Sequence, residues 1–174
     1  MLVGNKARFA IEADPQTIEG EWILGGFRFW LCGCEVGNWS ECTALQYCFA
    51  GLRAFSRDSV ARAEPSIAHI EGREIFELVV GPVMAPKGIA DPQRQPIPFS
   101  YERFHLTHLG MSSFDDFVIV LVKDADGAER CLCRRLGEDE ILDCWLAPGE
   151  MEQVAERFCD LFEAKYMKGS MDQQ

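Results

Sequence analysis

The chain has 174 residues, 48% of them hydrophobic and 26% charged, and 17 Lys and Arg against 28 Asp and Glu leave a net charge of −11. That length and mixture suit one folded domain with its own core and exclude a disordered or fibrous chain. The longest apolar run, Phe117 to Val122, is far short of the roughly 20 residues a bilayer span needs, and the first residues show no basic stretch leading into an apolar one. The expected address is the cytoplasm, with no membrane partner.

Residues Lys6 to Glu12 alternate between apolar and polar, which predicts a half-buried strand ended by Asp14-Pro15. Glu21 to Leu24, Phe27 to Cys32 and Glu35 to Trp39 read as short strands punctuated by Gly25-Gly26, Gly33 and Gly37, an antiparallel meander. Thr43 is placed to cap a helix reaching about Arg62, with Leu45, Cys48, Phe49, Leu52 and Phe55 on its buried face. A second helix is predicted from Glu71 to Val80, with Ile75, Leu78 and Val79 as its stripe and Gly81-Pro82 as its stop. Five of the eight prolines lie between Gly81 and Pro98, so that stretch is expected to be a long loop.

Glu102 to Leu109 has strand character, and Asp116 to Lys123 is apolar on both faces, as a central strand covered on both sides would be. Glu129 to Leu136 and Glu140 to Leu146 complete a second antiparallel meander through turns at Asp124-Ala125-Asp126-Gly127 and Gly137-Glu138-Asp139. Pro148-Gly149-Glu150 opens a last helix, with Met151, Val154, Ala155, Phe158, Leu161 and Phe162 at helical spacing and Pro148 suited to its first turn. The expected fold class is α+β: a single domain over residues 1–168, its mostly antiparallel sheet built from two meanders with two to three helices packed on it, and a flexible tail at 169–174.

Eight cysteines stand at 32, 34, 42, 48, 131, 133, 144 and 159. Without an export signal they are expected to be free thiols. The pairs Cys32/Cys34 and Cys131/Cys133 place two thiols on one strand face and could supply four thiolates to zinc. Their spacing is not that of a zinc knuckle, so small apolar core residues is the favoured reading and no metal or cofactor is expected. No phosphate loop, dinucleotide fingerprint, nucleophile elbow or zinc-protease helix is present. His105 and His108 point to opposite faces of an extended segment and His69 stands apart, so the three histidines make no evident site. Trp22, Trp30, Trp39 and Trp145 are expected in the core; the alternative, for Trp30 and Trp145, is a partly exposed anchor for a partner.

The acid is uneven, with net −3 up to Tyr101 and net −8 from Glu102 onward. Such a field repels phosphate backbones, so nucleic acid is not expected as a partner unless Arg130, Arg134 and Arg135 make a local patch; it favours a basic protein, or serves solubility alone.

The stretch Gly4-Asn5-Lys6-Ala7-Arg8-Phe9-Ala10-Ile11-Glu12, with Gly20-Glu21-Trp22, Gly26 to Trp30, Gly33, Val36-Gly37-Asn38 and Thr43-Ala44-Leu45, resembles the immunity protein 42 family of bacterial polymorphic toxin systems over roughly the first third of the chain. The resemblance implies a small cytoplasmic protein, encoded beside a secreted toxin, that neutralises it by binding: a toxin antagonist and not an enzyme, with no catalytic residues to carry across. Its cognate toxin, expected to be basic, would meet Asp115, Asp116, Glu138, Asp139, Glu140 and Trp145, which gather at the ends and rim of the second meander. Two rivals remain: a thiol or zinc protein using the Cys-x-Cys pairs, and an adaptor or chaperone that loads the effector. The sequence carries no sign of oligomeric state.

Overall fold

Residues 1–84, 101–106 and 112–167 are described in a computed structural model of the chain. The N-terminal meander folds as β1 (Leu2–Gly4), β2 (Phe9–Glu19), β3 (Trp22–Leu31) and β4 (Cys34–Val36), antiparallel in that order, and β5 (Thr43–Ala44) pairs with β3 beside β4. The second meander is β6 (Phe117–Lys123), β7 (Glu129–Arg135) and β8 (Leu142–Leu146), also antiparallel. The two meanders form two separate sheets, and helices pack over their faces. Those helices are α1 (Leu45–Arg57), α2 (Pro65–Ala68), α3 (Gly72–Met84) and α4 (Tyr101–Phe104), and α5 (Glu150–Phe162) closes the fold. The chain is α+β, as expected.

Several boundaries differ from the sequence reading, each for a local reason. Asp14-Pro15 does not end β2. β1 pairs only with Ala10 to Glu12, so the proline sits where β2 has no outer neighbour, and the register with β3 shifts between Pro15 and Thr17. Gly25-Gly26 does not interrupt β3 either. A Cβ on Gly25 would meet the Asp14 carbonyl oxygen at 2.1 Å, and one on Gly26 would meet the Trp39 carbonyl at 3.0 Å. These glycines permit close approach of backbone rather than a turn.

Thr43 belongs to β5 and does not cap α1, whose N-cap Ala44 offers no side-chain bond; the helix ends at Arg57 and a separate 3₁₀ turn covers Ser59–Arg62. Helix α3 runs through Gly81-Pro82, which removes a ladder hydrogen bond from its last turn without stopping it. Glu102 to Phe104 is part of a helical turn rather than a strand, and among the described residues of that segment only His105 makes a bridge, to Val120. Gly149, at φ 71°, is the N-cap of α5, so Pro148 lies outside that helix. Most of the proline-rich stretch, His108 and the tail lie outside the described residues.

The core has two parts, one on each face of the second sheet. On one face Ile119, Leu121, Cys131 and Cys133 pack with Phe9, Ile11, Phe27 and Phe29 of the first sheet, Leu45, Cys48 and Leu52 of α1, and Phe158 and Phe162 of α5. On the other, Val118, Val120, Val122 and Leu132 pack with Ile67 of α2, Phe76 and Val79 of α3, and Phe104 of α4. This explains why β6 is apolar on both faces, although it is not the central strand: β7 is, and the outer side of β6 is met by single bridges from His105 and Ala63. None of the four tryptophans lies in either core. The phenylalanines, worth about 1.5–3 kcal/mol each when fully buried, fill that space, whereas an indole brings an N–H that needs a partner.

Candidate functional site

Five of the six nominated residues come together. Phe117 pairs with Arg135, so Asp115 and Asp116 at the start of β6 lie beside the β7–β8 turn that carries Glu138, Asp139 and Glu140, and the Leu136 N–H donates to the Asp116 carbonyl at 2.7 Å. All five acids are exposed. Arg73 on α3 donates to the Asp139 carbonyl at 3.3 Å, which ties the turn to the helix layer, and Arg135 lies 3.7 Å from Glu138. Glu140 has no cationic partner among the described residues.

Trp145 does not join them. It pairs with Arg130, three residues along β8 from Leu142 and about 10 Å away. Its ring stacks on His69 with centroids 5.2 Å apart and lies 5.4 Å from the Arg130 guanidinium. That guanidinium is buried, donates to the Ala68 and Ile70 carbonyls at 2.8 and 2.6 Å, and grips Asp143 with two further bonds. Trp145, 42% exposed, therefore roofs an arginine that pins α2 to the second sheet.

The acid turn forms one wall of a cleft of about 320 Å³ between the two sheets. Glu138, Glu140 and Cys133 face Cys34, Glu35 and Val36 of β4 across it, with Phe117, Arg135 and Leu142 completing the lining. Glu35 of β4 and Glu138 and Glu140 of the β7–β8 turn thus line one recess, beside the Arg135 guanidinium. Sequence reasoning missed β4 as a wall, since nothing in Cys34-Glu35-Val36 signals a neighbour a hundred residues away.

Glu35 links this cleft to an ordered array on the open face of the first sheet. It takes a 2.7 Å ion pair from Arg28, whose guanidinium lies 4.9 Å from the Trp30 ring and 4.2 Å from the Trp39 ring, while the Lys6 ammonium sits 4.0 Å over Trp30. Glu12 holds the array from below. It accepts from Trp30 Nε1 at 2.7 Å, Arg28 Nε at 3.0 Å and Lys6 Nζ at 3.2 Å. Burial alone would raise its carboxyl, but those three bonds outweigh it and hold the group below the usual carboxylate range. Half-buried Trp30 is thus the partly exposed alternative of the sequence reading, with its rotamer fixed. Trp and Arg locked in place are the residues that carry most energy in protein contacts.

Another cluster has the perturbed acid that often marks an active site. Glu129, Glu152, Lys123 and Arg62 are all buried where β6, β7 and α5 meet. Burial pushes the Glu129 carboxyl up to about 8, helped by its hydrogen bond to Glu152. Burial would also raise Glu152, but bonds from Glu129, Lys123 and Arg62 prevail and hold it low. Lys123 Nζ lies 2.5 Å from Glu152 and 3.3 Å from Glu129, and Arg62 is 3.1 Å from Glu152. Glu129 is 0% exposed and accepts the Met151 N–H at 2.8 Å, so the cluster anchors α5 to the sheet and offers no substrate a path.

Among the described residues no group of three or more His, Cys, Asp or Glu is placed to hold a metal ion. The cysteines split. Cys48, Cys131, Cys133 and Cys159 are buried free thiols, as expected of core residues, and Cys34 and Cys42 are exposed. Cys32 and Cys144, in contrast, are disulfide-bonded across 112 residues.

Comparison with known proteins agrees with the first-third resemblance and extends it. The family model described as Immunity protein 42 matches residues 1–160. The crystal structure of CdiI from Burkholderia dolosa AUO158 is similar in fold, with a TM-score of 0.65 at 20% identity over 92% of this chain and 99% of that one. No curated protein matches the sequence.

Proposed function

This chain belongs to the immunity protein 42 family, and we propose that it binds and neutralises a cognate secreted toxin in the cytoplasm of the cell that makes it, by steric and electrostatic blocking and without turning over a substrate. The family match over residues 1–160 carries the reading. Among the described residues no helix is long and apolar enough to cross a membrane.

The contact surface we assign to the toxin is the acid end of the second sheet, Asp115, Asp116, Glu138, Asp139 and Glu140, with the cleft it shares with β4. Trp145, at the far end of β8, stays a candidate only for an interface wide enough to reach it. A surface of about 800 Å² per partner is the usual size, and the net −8 of the C-terminal half would steer a basic toxin onto it. Glu35, Glu138 and Glu140 would receive a Lys or Arg of the toxin.

The test is survival of cells making the neighbouring toxin gene product in the cytoplasm, with and without this chain. Rescue is the expected result. Toxin binding without rescue would point to an effector-loading adaptor and refute neutralisation.

A further inference from the structure

We propose that Cys32 and Cys144 form a reversible redox clasp between the two sheets, closed by a low-molecular-weight disulfide such as oxidised glutathione and opened by the corresponding thiol. Four features of the molecule carry it. Cys32 and Gly33 form the two-residue turn between β3 and β4, and both have positive φ, 49° and 87°. Turns of this kind favour Asn, Asp or Gly, and a cysteine there carries a backbone cost. What that placement achieves is reach: the Cys32 Cα comes within 6.3 Å of the Cys144 Cα on β8, inside the span a disulfide closes.

The two sulfurs also differ in access. Cys32 is exposed on its turn, whereas Cys144 is 2% exposed. A solution thiol or disulfide therefore reaches Cys32 first, and Cys144 acts as the resolving partner. The neighbouring core thiols do not compete. Burial pushes Cys131 well up and Cys133 up to about 12, so both react slowly with thiols and disulfides in solution.

The fourth feature is position. Cys34, two residues after Cys32, lines one wall of the cleft, and Cys133 and Leu142, which pair with each other and adjoin Cys144 on β8, line the opposite wall. The clasp is the one disulfide among the described residues and it joins these walls. β4 is a three-residue strand paired only with β3; apart from the clasp it is held by Val36 in the shared core and by the Asn38 N–H on the Ser113 carbonyl just after it, so opening the bond frees its Cys34 end first.

The exchange balances. On closing, the Cys32 thiolate attacks one sulfur of oxidised glutathione and expels a glutathione thiolate. The Cys144 thiolate then attacks Cys32 Sγ and expels the second, so two protein thiols lose two electrons to the glutathione disulfide and their protons pass to the released thiolates. Opening is the reverse. In a reducing compartment the clasp is mostly open and closes under oxidative stress. Its bearing on toxin binding rests on the function proposed above, because the cleft it closes is part of the surface assigned to the toxin.

The full-length chain is equilibrated in glutathione buffers of graded ratio, quenched with acid, denatured, alkylated with N-ethylmaleimide and analysed as peptides by mass spectrometry. At oxidising ratios a Cys32–Cys144 linked peptide should appear and six of the eight cysteines should label; after dithiothreitol all eight should label. Under native conditions, alkylation of Cys133 should speed up at least about tenfold on reduction, since opening exposes its wall of the cleft. Cys32→Ser, at an exposed turn, should show the fast rate whatever the redox buffer, which keeps the test usable if Cys144→Ser fails to fold. Absence of the linked peptide at every ratio, with native circular dichroism, overturns the proposal. So does a linked peptide with no change in the Cys133 rate. A chain that carries the clasp and the rate change yet binds no toxin would refute the proposed function and leave the clasp established.

Discussion

Replacing either buried glutamate by glutamine separates the two roles in the charge cluster. Glu152 takes Lys123 at 2.5 Å and Arg62 at 3.1 Å, and both cations are nearly sealed from water. With Glu129 protonated, Glu152 is the only anion they have in the cluster. Glu152→Gln leaves two buried cations unpaired and should cost about 3–5 kcal/mol, or roughly 6–20 °C in melting temperature for a chain of this size. Glu129→Gln removes no charge at neutral pH, and its amide can still accept the Met151 N–H and donate to Glu152, so it should cost under about 1 kcal/mol. The pH dependence follows from the sign of the shift. Glu129, raised to about 8 in the folded chain, contributes stability that is complete below the ordinary carboxylate value of about 4.3 and is lost as pH rises through 8. Glu152, held low, works the other way: its contribution is present above about 4.3 and fades as the solution becomes more acid. Urea titrations of wild type and Glu129→Gln from pH 5 to 8 should therefore diverge by up to about 1.4 kcal/mol per pH unit, the wild type losing ground as pH rises. Equal costs for the two glutamines, or a difference that does not change with pH, would mean that Glu129 is ionised in the fold and would refute the argument.

Three further outcomes follow from other parts of the molecule. Gly25→Ala puts a methyl 2.1 Å from the Asp14 carbonyl oxygen, inside two paired strands, and should cost more than about 3 kcal/mol in thermal melts; a cost under about 1 kcal/mol would show that the strands separate freely. Glu12→Gln weakens three charge-linked bonds under Trp30 and should cost about 1–2 kcal/mol, allowing for its partial exposure. Because that carboxyl is held low, its stabilisation is present above about pH 4.3 and lost as pH falls, so the variant's acid limb should be flatter than wild type. Glu138→Lys with Glu140→Lys should change folding stability by less than about 0.5 kcal/mol while slowing association with the cognate toxin roughly tenfold at low salt, and raising ionic strength should slow the wild type steeply; stopped-flow rates indifferent to both would remove electrostatic steering.

Periodicity made much of the fold legible. The stripe Leu45, Cys48, Leu52 and Phe55 is the buried face of α1, and the doubly apolar run Val118 to Val122 is indeed covered on both faces. Where the reading slipped, one residue type had two physical uses. Gly25-Gly26 and Pro15 look like breaks because glycine and proline usually end strands, but here the glycines relieve contacts of 2.1 and 3.0 Å and the proline uses an unpaired edge. Thr43 has the chemistry of a helix cap and the shape of a strand residue, and pairing with Gly25 decided for the strand. The segment from Glu102 reads as a strand, but its start is a helical turn, Tyr101–Phe104, which packs Phe104 into the second core.

The candidate site was legible only in so far as it is local. The five acids meet because β6 and β7 are antiparallel neighbours, and a hairpin's register brings its ends together by construction. Trp145 belongs with them at the rim of the predicted second meander, but a strand separates residues by about 3.3 Å each, so three positions suffice to put it elsewhere. The features that distinguish the cleft, Glu35 against Glu138 and Glu140 and Cys32 against Cys144, join segments about a hundred residues apart, and their approach is set by how two sheets share a core of phenylalanines. Pairing across sheets has no period to read. Even so, one signal was present in the chain: a cysteine in a turn position that favours Asn or Gly carries a backbone cost that packing does not explain, and a partner for its sulfur does.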